Sequence, residues 1–207
     1  MPDLAYEAAL HARGLQRIAG IDEAGRGPLA GPVAAAAVML PRGFHCPGLD
    51  DSKKISAAKR EDFYDRLTGD GAILWAVATA SCEEIDRLNI LRASHLAMRR
   101  AVLALHPQPE HCLIDGLPLR DFPFPYDAIV KGDGLSLSIA AASIIAKVTR
   151  DRLMCEIDRE FPQFGFAKHQ GYGTKGHLEA LRIHGPCCHH RRSFQPVAQL
   201  ALPLDRA

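Results

Sequence analysis

The residues best suited to chemistry in this 207-residue chain are two adjacent carboxylates, Asp22 and Glu23. They stand at the head of a glycine-rich run, Gly20-Ile21-Asp22-Glu23-Ala24-Gly25-Arg26-Gly27-Pro28-Leu29-Ala30-Gly31-Pro32. An apolar stretch from Ile18 to Ile21 leads into Asp22 as a buried strand does, and Gly25, Gly27 and Gly31 then let the backbone turn tightly and approach a ligand. Carboxylate oxygens hold hard cations, and the N–H groups of such a loop suit phosphate oxygens. Arg26, between two glycines, adds a charged fork with little steric shielding. An isolated Asp-Glu pair is more often a solvated turn; the glycines and the rest of the chain favour a metal site beside a phosphate cradle.

Two further acids follow the same pattern. Leu113-Ile114-Asp115-Gly116 repeats the apolar run ending in Asp, and Ile129-Val130-Lys131-Gly132-Asp133-Gly134 places a third Asp just past another strand. Asp-Gly alone is a common turn dipeptide, so the recurrence after apolar strands carries the argument. Neighbouring strands lie about 4.8 Å apart, so acids at their ends can share a site, where like charges need cations to offset them. An oxygen-only donor set points to Mg²⁺ or Mn²⁺. Consecutive strand residues point to opposite faces, so Asp22 and Glu23 enter one site only if the strand ends or bulges at Glu23. The expectation is Asp22 at the centre and Glu23 from the side.

The elements that must position these acids read as one α/β unit. Strands are expected near 16–22, 30–40, 72–80, 111–115 and 127–131, and helices near 57–68, 83–105, 138–160 and 175–184. The first two strands are too close in sequence for a helical crossover and should pair antiparallel; later strands alternate with helices, which favours parallel pairing. Ser81 and Glu84 fit a capping box, and Ser56 a cap of the helix before. The helix from Ser138 begins small and apolar on nearly all sides, as one pressed against a sheet does, and its charged half from Lys147 should reach solvent. The chain has 47% hydrophobic and 24% charged residues, a formal net charge of +1, and enough length to bury a full core. The start of the chain has no basic segment followed by an apolar one, and the longest apolar run, Val33 to Leu40, is too short to span a bilayer, so a cytoplasmic address is expected. Six cysteines without framework spacing read as reduced thiols. From Gly165 to Gln195, Lys168, Lys175, Arg182, Arg191, Arg192 and five histidines face one acid, Glu179. This end can face phosphates, although such a cluster is often merely solvated.

Taken together, these blocks resemble the type 2 ribonucleases H, bacterial ribonuclease HII in particular. The resemblance runs over most of the chain: the Gly20–Val33 block, Asp51-Ser52-Lys53-Lys54, Asp115-Gly116, Lys131-Gly132-Asp133, the Ser138–Asp151 block, Gly171-Tyr172-Gly173-Thr174-Lys175 and His190-Arg191-Arg192-Ser193-Phe194. It implies a ribonuclease H-like α/β fold over residues 1–207, a mixed five-stranded sheet flanked by helices, with a small, basic, helical C-terminal portion from about 165 that binds substrate. It implies an endonuclease, acting as a monomer away from membranes. Its substrates would be the RNA strand of RNA–DNA hybrids and single ribonucleotides embedded in duplex DNA. By motif, the catalytic and metal-holding acids are Asp22, Glu23, Asp115 and Asp133, while Gly25, Arg26, Gly27 and Tyr172 read the ribonucleotide junction. Asp151 follows helical residues and stays outside the catalytic set. Where a Lys is expected directly before the Gly-Tyr-Gly block, this chain has Lys168-His169-Gln170, which leaves the role of Lys168 open.

The reaction explains the equipment. Phosphodiester hydrolysis must activate a water, neutralise charge in the transition state and stabilise the departing oxygen, and two divalent ions about 3.5–4 Å apart do all three. Lys53 can steady a nearby phosphate, though an exposed Lys pair is commonly just solvated. A 2′-hydroxyl, both donor and acceptor, suits backbone groups on the glycine loop. The ring of Tyr172 can pack on a sugar, a role that rests mainly on the resemblance. Cys187-Cys188-His189-His190 is too crowded for tetrahedral zinc, no nucleotide-triphosphate loop is present, and His95 and His106 read as ordinary surface or packing residues. Two other readings are a non-catalytic hybrid-binding module, which should have lost an acid, and a DNA nuclease of the same fold, which would not need the Gly-Arg-Gly and Tyr172 blocks.

Overall fold

A computed structural model of the chain describes residues 1–200. The sheet is centred on β1 (Ile18–Ala24) and β2 (Val33–Met39), antiparallel in an unbroken register from Gly20↔Val38 to Ala24↔Ala34. β3 (Leu74–Ala80) pairs with β2, and β4 (His111–Asp115) and β5 (Tyr126–Ile129) add in parallel beyond β1, giving the order β3-β2-β1-β4-β5. The mixed five-stranded sheet is thus as expected, with one correction. β3 is antiparallel to β2 although helix α2 (Ala57–Gly69) lies between them, because the connection re-enters the sheet at the end where β2 left it.

Helices cover both faces of the sheet, and the run of alanines in β2 follows from that. Ala35, Ala37 and Met39 face one core with α4 (Ile90–Leu103), while Ala36 and Val38 face the other with α2 and α5 (Leu137–Glu160). Small side chains on a strand buried on both sides let two helix layers approach closely. The approach is tightest at Gly20, where an added Cβ would lie 2.1 Å from the backbone carbon of Ser138. β1 therefore rides on the first turn of α5. That turn is capped by Ser136, whose Oγ accepts from the Ile139 amide. It is clamped from outside by Glu7 of α1 (Ala5–Ala12), a helix the sequence pattern did not suggest. One buried Glu7 oxygen accepts from the hydroxyls of Ser136 and Ser138 and from the Ser138 amide, a carboxylate at the positive end of a helix.

Two other expectations change. The helix expected over 83–105 is two, α3 (Cys82–Leu88) and α4, broken at Asn89, which takes φ 70° and caps α4 by accepting from the Arg92 amide. The capping box at Ser81 and Glu84 forms as expected, as does the Ser56 cap. The second half of α5 does not simply turn to solvent: Arg150 and Met154 are buried there. Met154 joins Leu29, Ala30, Phe164, Phe166, Leu181 and Val197 in a third core that packs α5 and the glycine loop against the C-terminal elements. Those elements are α6 (Phe166–His169), α7 (Lys175–His184) and α8 (Val197–Leu200). Residues 201–207 of the expected C-terminal portion lie outside the described residues. No described helix is long and apolar enough to cross a membrane.

Candidate active site

β1 and β4 run parallel side by side, so the residues at their ends point the same way. Asp22 shares the face of Ile18, and Asp115 that of Leu113, both of which pack on Ile139 of α5. Beyond β5 the chain turns through Lys131, at φ 59°, into a short 3-10 turn that brings Asp133 over the same spot. Asp22, Asp115 and Asp133 each offer a carboxylate oxygen within 4.8 Å of the others. Asp115 is fixed by the Gly132 amide at 2.6 Å, and Asp22 takes the Glu23 amide at 2.7 Å.

Glu23 behaves differently from the sequence expectation. The strand neither ends nor bulges there; Glu23 and Ala24 continue the ladder with Ala35 and Ala34. Its carboxylate therefore starts from the opposite face, where Arg26 donates to it at 3.0 Å, and it lies outside the three-acid group. Its charge still reaches the cluster. Burial first, then Glu23 and then Asp115 raise the Asp22 carboxyl well above the usual carboxylate range. Burial and the Glu23 charge raise Asp115, and burial with Asp115 and Asp51 raises Asp133. One Glu23 oxygen, Oε2, is buried without a hydrogen-bond partner. Three crowded, desolvated carboxylates fit a divalent cation, which would offset their mutual repulsion.

Lys53 stands exposed at the rim, its Nζ 3.5 Å from Asp133 and 3.8 Å from Asp51. Burial acts to lower its pKa, but Asp51, Asp22 and Asp133 together raise it, so it stays cationic. Asp151, half-buried on α5, pairs with Lys147 at 2.6 Å.

The glycine loop is held by two arginines whose structural role the sequence did not reveal. Arg150 and Arg191 are almost fully buried, and neither has a carboxylate within ion-pair distance among the described residues. Instead Arg150 donates to the carbonyls of Pro32, Ala30 and Gln170 at 2.9, 3.1 and 3.1 Å. Arg191 donates to those of Gly31 and Arg26 at 3.0 and 2.9 Å, and to that of Gly25. Gly25 must be glycine: at φ 95°, an added Cβ would lie 1.9 Å from Nε of Arg150. The amides of Gly25, Arg26 and Gly27 have no acceptor among the described residues. Arg26 and Gly27 are exposed, and Tyr172, also exposed, has its Cε1 3.5 Å from where a Gly27 Cβ would stand. Tyr172 is therefore not a core aromatic.

The basic C-terminal run divides. Arg191 is inside, Arg182 pairs with Glu179 at 2.7 Å, and Lys168, Lys175 and Arg192 remain exposed. His190 is buried with both ring nitrogens hydrogen-bonded, to Cys187 and to His177, so the Cys187–His190 tract is packed as structure rather than arranged around zinc. All six cysteines are free thiols. His106 is exposed and His95 partly so.

The family model described as Ribonuclease HII matches residues 19–197. A ribonuclease HII of Geobacillus thermodenitrificans is 55% identical over 194 residues, covering 94% of this chain and 74% of that protein. One of Ruegeria pomeroyi is 55% identical over 200 residues, covering 96% and 85%. Among solved structures, ribonuclease H2 from Pyrococcus horikoshii superposes with a TM-score of 0.73 at 25% identity, over 89% of this chain and 96% of that one.

Proposed function

Since this chain belongs to the ribonuclease HII family and is a ribonuclease H hydrolysing the RNA of RNA–DNA hybrids, we propose that its acids and its glycine loop divide that work between them. Asp22, Asp115 and Asp133, with Glu23 beside them, hold divalent cations, Mg²⁺ or Mn²⁺, while Gly25, Arg26, Gly27 and Tyr172 recognise the ribose. When bound, the cations supply Lewis acidity toward the scissile phosphate and lower the pKa of water. The carboxylates fix where that charge sits, and Lys53, held at the rim by Asp51 and Asp133, meets a neighbouring phosphate oxygen. In hydrolysis an O–P bond forms from water and the bond from phosphorus to the departing oxygen breaks, so charge accumulates on the phosphoryl oxygens next to this cluster.

The observation that carries the recognition half is the loop itself. The amides of Gly25, Arg26 and Gly27 have no acceptor among the described residues, while Arg150 and Arg191 hold the carbonyls around them in place. Such amides suit phosphate and 2′-hydroxyl oxygens, and the Tyr172 ring beside Gly27 offers a face to the sugar. We extend the substrate range on this basis to single ribonucleotides in duplex DNA, where one sugar must be told from its neighbours. The exposed cations Lys168, Lys175 and Arg192 suit the segment from about 165 to following the duplex, and we take the enzyme to act in the cytoplasm as a monomer. The test is cleavage of a duplex carrying one ribonucleotide beside an all-DNA control, in Mg²⁺ and in Mn²⁺. A single cut at the ribonucleotide and none in the control is expected; cutting of the all-DNA duplex would favour a DNA nuclease of the same fold.

A further inference from the structure

His177, fully buried at the start of α7, and His190, in the segment after it, form a hydrogen-bonded chain in which a backbone group faces each Nδ1, with the Cys187 Sγ also 3.1 Å from that of His190. The Tyr172 carbonyl can only accept, so Nδ1 of His177, 2.9 Å away, carries a proton. The Cys187 amide can only donate, so Nδ1 of His190, 3.0 Å away, is a lone pair. With both rings neutral, the remaining proton sits on Nε2 of His190 and points at the lone pair on Nε2 of His177, 3.0 Å away. The pattern closes without conflict. A second proton on either ring would leave two N–H groups facing each other or facing the Cys187 amide. Burial first, then each ring's neighbours, keeps them unprotonated, with His190 pushed down to about 4.

This chain ends at the residue assigned above to the sugar. The same loop is tied to the glycine run by the Leu29 amide on the Gly171 carbonyl at 2.8 Å, and the His190 segment by the Arg191 amide on the Leu29 carbonyl at 2.9 Å. His169 stacks on one face of His177, with ring centroids 4.6 Å apart. A pairing that served only to fill the third core needs no polar atoms, and a Phe–Leu pair would fill it equally. We propose that His177 and His190 are positioning residues for substrate discrimination: the pair ties the Tyr172 main chain to the 187–191 segment and so sets where the Tyr172 ring stands against Gly27.

The proposal rests on the reading of Tyr172 as a sugar contact, and the experiment separates the two. The ratio of kcat/KM on a single-ribonucleotide duplex to that on a long RNA–DNA hybrid is measured for the native protein, Tyr172→Ala, His177→Phe and His177→Asn, with melting temperatures. His177→Phe keeps the ring volume but loses both bonds, and the ratio should fall roughly five- to tenfold, as for loss of one hydrogen bond. His177→Asn keeps a donor near the Nδ1 position and should recover the ratio to within about twofold. A ratio unmoved in Tyr172→Ala overturns the reading of Tyr172 and this proposal with it. A ratio moved there but unmoved in folded His177→Phe overturns this proposal alone. Should His177→Phe not fold, long-range ¹H–¹⁵N spectra of the native protein decide. A proton on Nδ1 of His177 and none on Nδ1 of His190 is required, and the reverse tautomers would end the proposal.

Discussion

At the ends of β1 and β4, three carboxylates crowd within 4.8 Å and are held above their usual pKa range by burial and by one another. On the other side of Glu23, the glycine loop is surrounded by buried groups that satisfy one another: Arg150 and Arg191 on carbonyls, His177 and His190 in a closed chain to Tyr172. The acid side is unfavourable by itself and becomes favourable with a cation. The loop side is held in place without a ligand, and the amides of Gly25, Arg26 and Gly27 with the exposed Tyr172 ring are left for one. A ligand-dependent centre beside a preorganised reader keeps the ribose test fixed whether or not cations are bound.

The comparison breaks most visibly if the acids are dispensable. Asp115→Asn removes a ligand oxygen and a repulsive charge together, so cleavage of either substrate should fall by about 10³-fold or more, several kcal/mol of transition-state stabilisation. The metal-free melting temperature should hold or rise. Near-native turnover in Mg²⁺ would take Asp115 out of the site.

Arg191→Leu probes the other side, where the loss should appear in folding. It strands the carbonyls of Gly25, Arg26 and Gly31, at roughly 1–3 kcal/mol for each that stays buried, so a destabilisation of about 3 kcal/mol or more is expected in urea unfolding. Less than 1 kcal/mol would mean that the loop does not depend on this strut.

Opposite pH slopes sharpen the contrast. Folded-state pKa values raised at Asp22, Asp115 and Asp133 mean that the folded metal-free protein binds more protons, so the cluster's contribution is present below about pH 4 and lost as pH rises through the raised values. For His190, lowered from about 6.5 to about 4, the contribution is present above pH 6.5 and lost as pH falls toward 4, on the order of 3 kcal/mol in all. Urea titrations in chelator should therefore show Asp22→Asn flattening the loss toward neutral pH while leaving the acid limb alone. A variant curve parallel to the native one throughout would remove the charge-crowding argument.

The smallest effect belongs to the Tyr172 hydroxyl. Tyr172→Phe keeps the ring beside Gly27 and should lower single-ribonucleotide cleavage by no more than a hydrogen bond's worth, about 0.5–1.5 kcal/mol, with an unchanged melting temperature. A loss as large as that of Tyr172→Ala would move the contact from the ring face to the hydroxyl.

The acids were legible in the sequence because an apolar strand ending in Asp repeats, and strand ends converge wherever parallel strands are neighbours. Glu23 was placed less well. Period-two alternation assigns its face, but only the ladder shows that β1 runs on to Ala24 beside β2. The struts were not legible as struts. Arg150 and Arg191 lie within blocks that carry the resemblance, yet their partners are backbone carbonyls more than a hundred residues away for the glycine run, and a carbonyl has no sequence signature. The break at Asn89 was missed for a local reason: a non-glycine residue at positive φ leaves the helical pattern of 82–103 intact on either side. The His177–His190 chain, likewise, joins two histidines that look like members of a basic surface until burial is known.

The division between cation centre and ribose reader requires the acid cluster to be a cation site already formed in the free protein. Its most direct test is Mn²⁺ titration of chelator-treated protein, native and Asp22→Asn, followed by melting temperature. Cations that bind only the folded chain should stabilise the native protein by about 2.7 kcal/mol at a hundredfold excess over Kd. Asp22→Asn should start as stable or more stable and gain much less. No rise in the native protein, or the same rise in both, would contradict the account.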